Sequence, residues 1–291
     1  MTIGGRRAPQ APNRPRLWQS ADGASDSLRP AGRPVSLARV QLRLIRHATL
    51  VLELAGQRLL IDPMLADAGT LPPIEETPNQ RPNPLVAMPV PAAELLDGLD
   101  GLLVTHLHHD HYDDAAGALL PRDLPLLCQP PDVGFLQSRE GFLALLPVED
   151  ARDWEGIAVT RTGGRHGTGE IGDLMAPVSG FALAAPGEPA LLVAGDTVWC
   201  DELAAALDAH RPDVVVLNAG GARFLEGDPI TMTAQDVVAV AEAAPQARLV
   251  VVHMEAINHC LLTRAELRAA VDAAGVGERV AIPADGETLD L

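Results

Sequence analysis

Residues 105–111 read Thr105-His106-Leu107-His108-His109-Asp110-His111. The order H-x-H-x-D-H places four side chains of metal-ligand type, His106, His108, Asp110 and His111, within six residues. Imidazole suits zinc, iron and related ions, and carboxylate fills harder positions. Side chains three or four apart share one face of a helix. Here the spacings are two, two and one, which fit a turn wrapped around an ion. The preceding run Gly101-Leu-Leu-Val-Thr105 reads as a buried strand. The turn therefore closes a strand, where α/β folds place their sites.

Upstream, Val40–Ile45, Thr49–Leu54 and Arg58–Ile61 alternate or run apolar and read as strands, with a hairpin turn at Ala55–Gln57 and a stop at Asp62-Pro63. Residues 67–93 are proline-rich and read as one long loop. Downstream, helices are expected over 112–120 and 132–141, and strands over 124–128 and 157–161. A glycine-rich loop, 162–169, follows. The segments 179–184 and 190–194 pair plausibly as strands. Strands at 214–217 and 249–252 then alternate with helices at 201–210, 233–244 and 263–274, and a strand near Val280 closes the chain. Strand-rich stretches followed twice by β/α alternation predict an α/β fold of two stacked mixed sheets with helices outside.

The 291 residues are 47% hydrophobic and 3% aromatic, so the core is mainly aliphatic. The formal charge is -17, and every basic residue outside histidine is arginine. An acidic surface argues against a nucleic-acid partner. The absence of lysine excludes Schiff-base chemistry. Cys128, Cys200 and Cys260 show no C-x-x-C spacing and suggest the reduced thiols of a cytoplasmic protein. No apolar run reaches 18 residues, so no membrane span is expected. Residues 1–38, rich in Arg, Pro, Gly and Ser, read as a disordered or loosely attached tail, and 39–291 as the domain. A small molecule is the expected partner, and a homodimer the default assembly.

Three more residues stand where ligands belong. His166 lies in the glycine-rich loop; Asp196 and His253 each follow directly on an apolar run. With these, the chain resembles the metallo-β-lactamase superfamily, whose fold is a four-layered αβ/βα sandwich. The stretch from His47-Ala-Thr to Ile61-Asp-Pro63 resembles a subgroup within it, the ascorbate-6-phosphate lactonase-like and N-acylphosphatidylethanolamine phospholipase D-like proteins. The resemblance spans roughly residues 40–260.

It implies two divalent ions, zinc first, with manganese or iron(II) also acceptable to this donor set. His106, His108 and His166 would hold one. Asp110, His111 and His253 would hold the other, with Asp196 bridging. Two such ions lower the pKa of bound water toward ~7, which supplies a hydroxide nucleophile for a small ester, lactone or phosphodiester. Asp196 stands where a zinc β-lactamase has Cys, and His108 where diiron flavoprotein reductases have Glu, so both of those activities are disfavoured. Two rival readings remain. One is a mononuclear iron oxidoreductase of the persulfide-dioxygenase type; the other is a non-catalytic metal-binding protein.

Other positions admit two roles each. His259, six residues after His253, either binds substrate, carries a proton to the leaving group or supports a ligand, or else caps the following helix, and spacing alone does not decide which of the two histidines is the last ligand. The strand that ends at Val252 favours His253. His47, Asn218 and Tyr112 are candidates for substrate contact. Asp62 is a candidate for orienting a ligand histidine. Arg81, Arg165 and Arg223 lie in loops that would suit an anionic substrate group.

Overall fold

The computed structural model describes residues 40–291. The expected tail, 1–38, lies outside the described residues. The first sheet contains β1 (Gln41–Arg46), β2 (Thr49–Leu54), β3 (Gln57–Ile61), β4 (Gly101–Val104), β5 (Leu126–Cys128) and β6 (Leu145–Pro147). The second contains β7 (Ala151–Trp154), β8 (Ile157–Thr162), β9 (Gly180–Ala184), β10 (Leu191–Val193), β11 (Val214–Asn218), β12 (Arg248–Val252) and β13 (Val280–Ala281). The last strand, β14 (Thr288–Asp290), returns to the first sheet beside β1.

The orders are β14-β1-β2-β3-β4-β5-β6 and β7-β8-β9-β10-β11-β12-β13. In both, three antiparallel joints are followed by three parallel ones. The two halves thus share a wiring pattern that the sequence does not display as a repeat. Strands β1, β3, β4 and β5 run one way, so their C-terminal ends share one edge; the same holds for β8, β10, β11 and β12.

The period-two rule of strands sorts the side chains into layers. Leu59, Ile61, Leu103 and Leu127 from the first sheet meet Val193, Val216, Val250 and Val252 from the second in a common interior. Their sequence neighbours point outward. Leu60, Leu102, Val104 and Leu126 pack beneath α2 (Asp114–Leu119) and α3 (Val133–Ser138). Leu192, Val215, Leu217, Leu249 and Val251 pack beneath α5 (Asp201–His210), α6 (Ala234–Ala243) and α7 (Arg264–Ala273). Strands buried on both faces need continuous apolar runs, which is why these segments were readable. The result is the αβ/βα sandwich expected above.

Differences from expectation are local. The 67–93 loop gives way to a one-turn helix, α1 (Ala92–Leu96). Helix α4 (Gly169–Met175) occupies the end of the glycine-rich stretch, with no buried residue to betray it. Among the described residues no helix is long and apolar enough to cross a membrane.

Candidate metal centre

Every strand end on the shared edges delivers a polar side chain. His47 follows β1, Asp62 follows β3, His106 follows β4, Asp196 follows β10 and His253 follows β12. Gly195 lets the chain turn into Asp196: its φ is +67°, and an added Cβ would lie 2.6 Å from the Ser179 carbonyl oxygen. His47 (φ 58°) and His253 (φ 74°) are also left-handed, which costs a non-glycine residue energy. They are locked together, since the His253 N–H donates to the His47 carbonyl at 3.0 Å. The two sheets are thereby joined at the site.

The donor atoms fall into overlapping groups. Those of His106, His108 and His166 lie within 4.8 Å of one another, and so do those of His47, Asp110, His111 and His253. Asp196 stands between them. Its Oδ2 is 3.4 Å from His166 Nε2, and its Oδ1 is 3.2 Å from His111 Nε2 and 3.3 Å from His253 Nε2. Each oxygen of one carboxylate faces a different histidine set.

The far nitrogens are anchored on protein. His166 Nδ1 lies 2.8 Å from the Ile230 carbonyl. His111 Nδ1 lies 2.8 Å from Asp62 Oδ2. His106 Nδ1 is 3.1 Å from Thr105 Oγ1, and His253 Nδ1 is 3.6 Å from Cys260 Sγ. These contacts turn the Nε2 atoms inward. Asp62 also accepts from the Thr105 N–H and hydroxyl, both at 2.8 Å, so it braces the whole motif turn.

Electrostatics favour a cation at the convergence point. Burial pushes the Asp196 carboxyl up, but His253, His111 and His166 outweigh it and hold the group well below the usual carboxylate range. Asp110 behaves alike: burial opposes ionisation, and His253 and His47 overcome it. Burial, then His111, drives His106 well down, and burial lowers His108, leaving neutral imidazoles with lone pairs to donate. Burial also opposes a charge on His111, yet Asp196 and Asp62 raise it well above the ordinary histidine value. Two ionised carboxylates thus draw positive charge to the centre of a buried imidazole cluster. Imidazole nitrogens and carboxylate oxygens converging in this way fit divalent ions.

The remaining candidates take definite places. His259 is buried and lines the cavity beside His108, Asp110 and His166; it is outside the donor groups, whereas His253 is within one. His47 is fully buried behind Asp110, with Nε2 3.0 Å from Asp110 Oδ2, and lines no part of the cavity. Asn218 donates from Nδ2 to Asp196 Oδ1 at 2.8 Å. Tyr112 packs in the outer core of the first sheet and donates its hydroxyl to Glu140 at 3.3 Å. His47 thus belongs to one donor group, Asn218 stands behind Asp196 and Tyr112 lies away from both, and none of the three is on the cavity wall. His109 is exposed at the cavity margin.

The cavity above the donors measures about 550 Å³. Much of its wall is apolar, with Leu71, Pro73 and Ile74 from the long loop facing Met175, Phe224 and Ile257. Arg81, Arg165 and Arg223 do not line it; Arg165 forks onto Glu202 on the surface, with Nε at 3.0 Å and Nη2 at 2.9 Å from Oε1. Asn258, which ties this loop down, belongs to no motif or spacing pattern. Its partner Asn83 is 175 residues away, a distance over which one sequence carries no pairing signal.

Residues 57–254 match the family described as Beta-lactamase superfamily domain. UPF0173 protein YddR of Bacillus subtilis (strain 168) is 39% identical over 246 residues, which are 84% of this chain and 97% of YddR. Among solved structures, an isothiocyanate hydrolase from Delia radicum gut bacteria superposes with a TM-score of 0.82 at 37% identity, over 86% of this chain and 99% of its own. A possible metal-dependent hydrolase from Veillonella parvula DSM 2008 gives 0.84 at 33% identity, over 87% and 100%. The chain belongs to the beta-lactamase superfamily and, within it, to the UPF0173 metal-dependent hydrolases.

Proposed function

We propose that this hydrolase works with two divalent ions, zinc first, on a small molecule with an electrophilic carbon. The observation that carries the reading is the division of Asp196, one oxygen toward His166 and the other toward His111 and His253. A carboxylate so placed suits a bridge between two ions. His106, His108 and His166 would hold one; Asp110, His111 and His253 would hold the other.

Such a pair supplies a hydroxide nucleophile at neutral pH and Lewis-acid stabilisation of the developing oxyanion. The protein's share is positioning and proton handling. Asp110 and His259, both on the cavity wall, would move the proton. Burial pulls His259 down to about 4, so it meets the substrate as a neutral imidazole, and among the described residues no group caps its Nδ1. His47 steadies Asp110, and Asn218 steadies Asp196.

An ester or lactone carbonyl is one suitable electrophile. The likeness to an isothiocyanate hydrolase adds the central carbon of an isothiocyanate, which hydroxide attacks in the same sense. The test is a hydrolysis screen of esters, lactones and isothiocyanates with the zinc-loaded chain. Turnover that chelation abolishes and zinc restores supports the reading. Iron-dependent oxygen consumption with thiols, and no hydrolysis, would replace it with the oxidoreductase.

A further inference from the structure

Asn258 sits between two cavity residues, Ile257 and His259, and is itself fully buried. Its amide is spent entirely on the long loop. Oδ1 accepts from the Ile74 N–H at 3.0 Å and from Asn83 Nδ2 at 2.8 Å. Nδ2 donates to the Ile74 carbonyl at 3.0 Å, to Thr77 Oγ1 at 2.8 Å and to the Asn79 carbonyl. The Asn258 N–H donates to Asn83 Oδ1 at 2.9 Å, closing a reciprocal pair. Asn83 bonds back to Leu71 through both backbone groups, at 2.8 and 2.9 Å. The segment 71–83 is thus held to the strand-end loop that carries His253 through Ile74, Thr77, Asn79 and Asn83, and its two ends are paired with each other.

A second anchor holds the loop's base. The fully buried Arg46 donates to the carbonyls of Met64, Ala66 and Val86, at 2.9, 2.8 and 3.0 Å. Prolines at 72, 73, 82 and 84 remove further freedom. This is a fixed wall, and what it offers is apolar: Leu71, Pro73 and Ile74, opposite Met175 and Phe224. Next in sequence to those last two, Leu174 and Leu225 are 74% and 65% exposed and add apolar surface. Among the described residues no arginine lines the cavity, while Asp114 does. An anionic group held against the apolar part of this wall, away from the donors, would lose water there without gaining a charged partner.

We propose that Asn258 is a specificity-determining positioning residue: by pinning segment 71–83 it holds an apolar wall that selects substrates whose group beyond the reacting carbon is uncharged and apolar. The inference rests on the hydrolase reading for the chemistry, but the wall's selectivity is testable without turnover. Such a wall disfavours anionic tails such as the phosphate of a sugar phosphate.

The zinc-loaded chain is assayed with p-nitrophenyl octanoate and with the p-nitrophenyl half-ester of suberic acid, the same length ending in a carboxylate. Octanamide binding is measured in parallel by calorimetry. Wild type should prefer the octanoate by about tenfold or more, the scale on which a pocket separates such groups. Asn258→Ala should raise KM for the octanoate about tenfold with kcat within about twofold, weaken octanamide equally and leave zinc content unchanged. Leu71→Arg, at a part-exposed position, should shift preference toward the carboxylate ester even if Asn258→Ala folds poorly. Octanamide binding of this pattern without ester turnover would support the wall while removing the hydrolase reading. Turnover with no preference between the esters, unmoved by Leu71→Arg, would overturn the wall and spare that reading.

Discussion

Asp62 Oδ2 lies 2.8 Å from His111 Nδ1, and the same carboxylate holds the Thr105 N–H and hydroxyl. One side chain at the end of β3 therefore sets the ring plane of a candidate metal donor and the start of the motif turn. Partners of this kind fix the tautomer of a ligand histidine and raise its basicity. Asp62→Asn should weaken zinc binding about 10–100-fold, read by chelator competition. Unaltered affinity would mean that His111 is oriented by its packing alone.

His108→Ala and Asp196→Ala remove donors from different places in the cluster. Both should abolish hydrolysis while leaving far-UV circular dichroism unchanged. Asp196→Ala should cost more zinc, because its carboxylate faces both histidine sets. Full activity in either variant would end the hydrolase account.

His259 lines the cavity without belonging to the donor groups. Its replacement by Ala should lower kcat about a hundredfold or more, as for a group that handles a proton. Zinc content should not change. Loss of zinc instead would make His259 a ligand.

Asp132 gives a pH prediction away from the ions. Burial raises its carboxyl to about 6 from an ordinary 3.8, against the opposing bonds from Gln129 Nε2. The folded state therefore holds this proton more tightly than the unfolded state. The group's contribution is fully present below pH 3.8 and is lost as pH rises through about 6, about 3 kcal/mol at most. Asp132→Asn should gain on wild type in urea midpoint from pH 4 to pH 6 and stay ahead at pH 8. A difference independent of pH would contradict the assignment.

The sequence was most legible where burial on both faces forces apolar runs, as in β4, β10, β11 and β12. It was least legible at the sheet edges. Strand β7 reads Ala-Arg-Asp-Trp with three exposed residues and β14 is a short return strand, neither with an apolar run, while β6 is only three residues long and ends in Pro147. The motif turn stands out because four side chains of donor type fall within six residues. His166, Asp196 and His253 stand out only through context, each after a strand or in a glycine-rich loop, and the fold brings all seven side chains together. The roles of His47 and Asn218 were not, because facing a cavity and facing a carboxylate look alike in one dimension. The Asn83–Asn258 pair depends on tertiary proximity and leaves no local trace.

Metal content per chain, measured on protein purified without chelator or metal-binding tag, tests the central claim most directly. The account predicts two equivalents of a divalent ion, zinc foremost, with occupancy falling in Asp196→Ala. A single tightly held equivalent of iron, unaffected by removing Asp110 or His253, would contradict it.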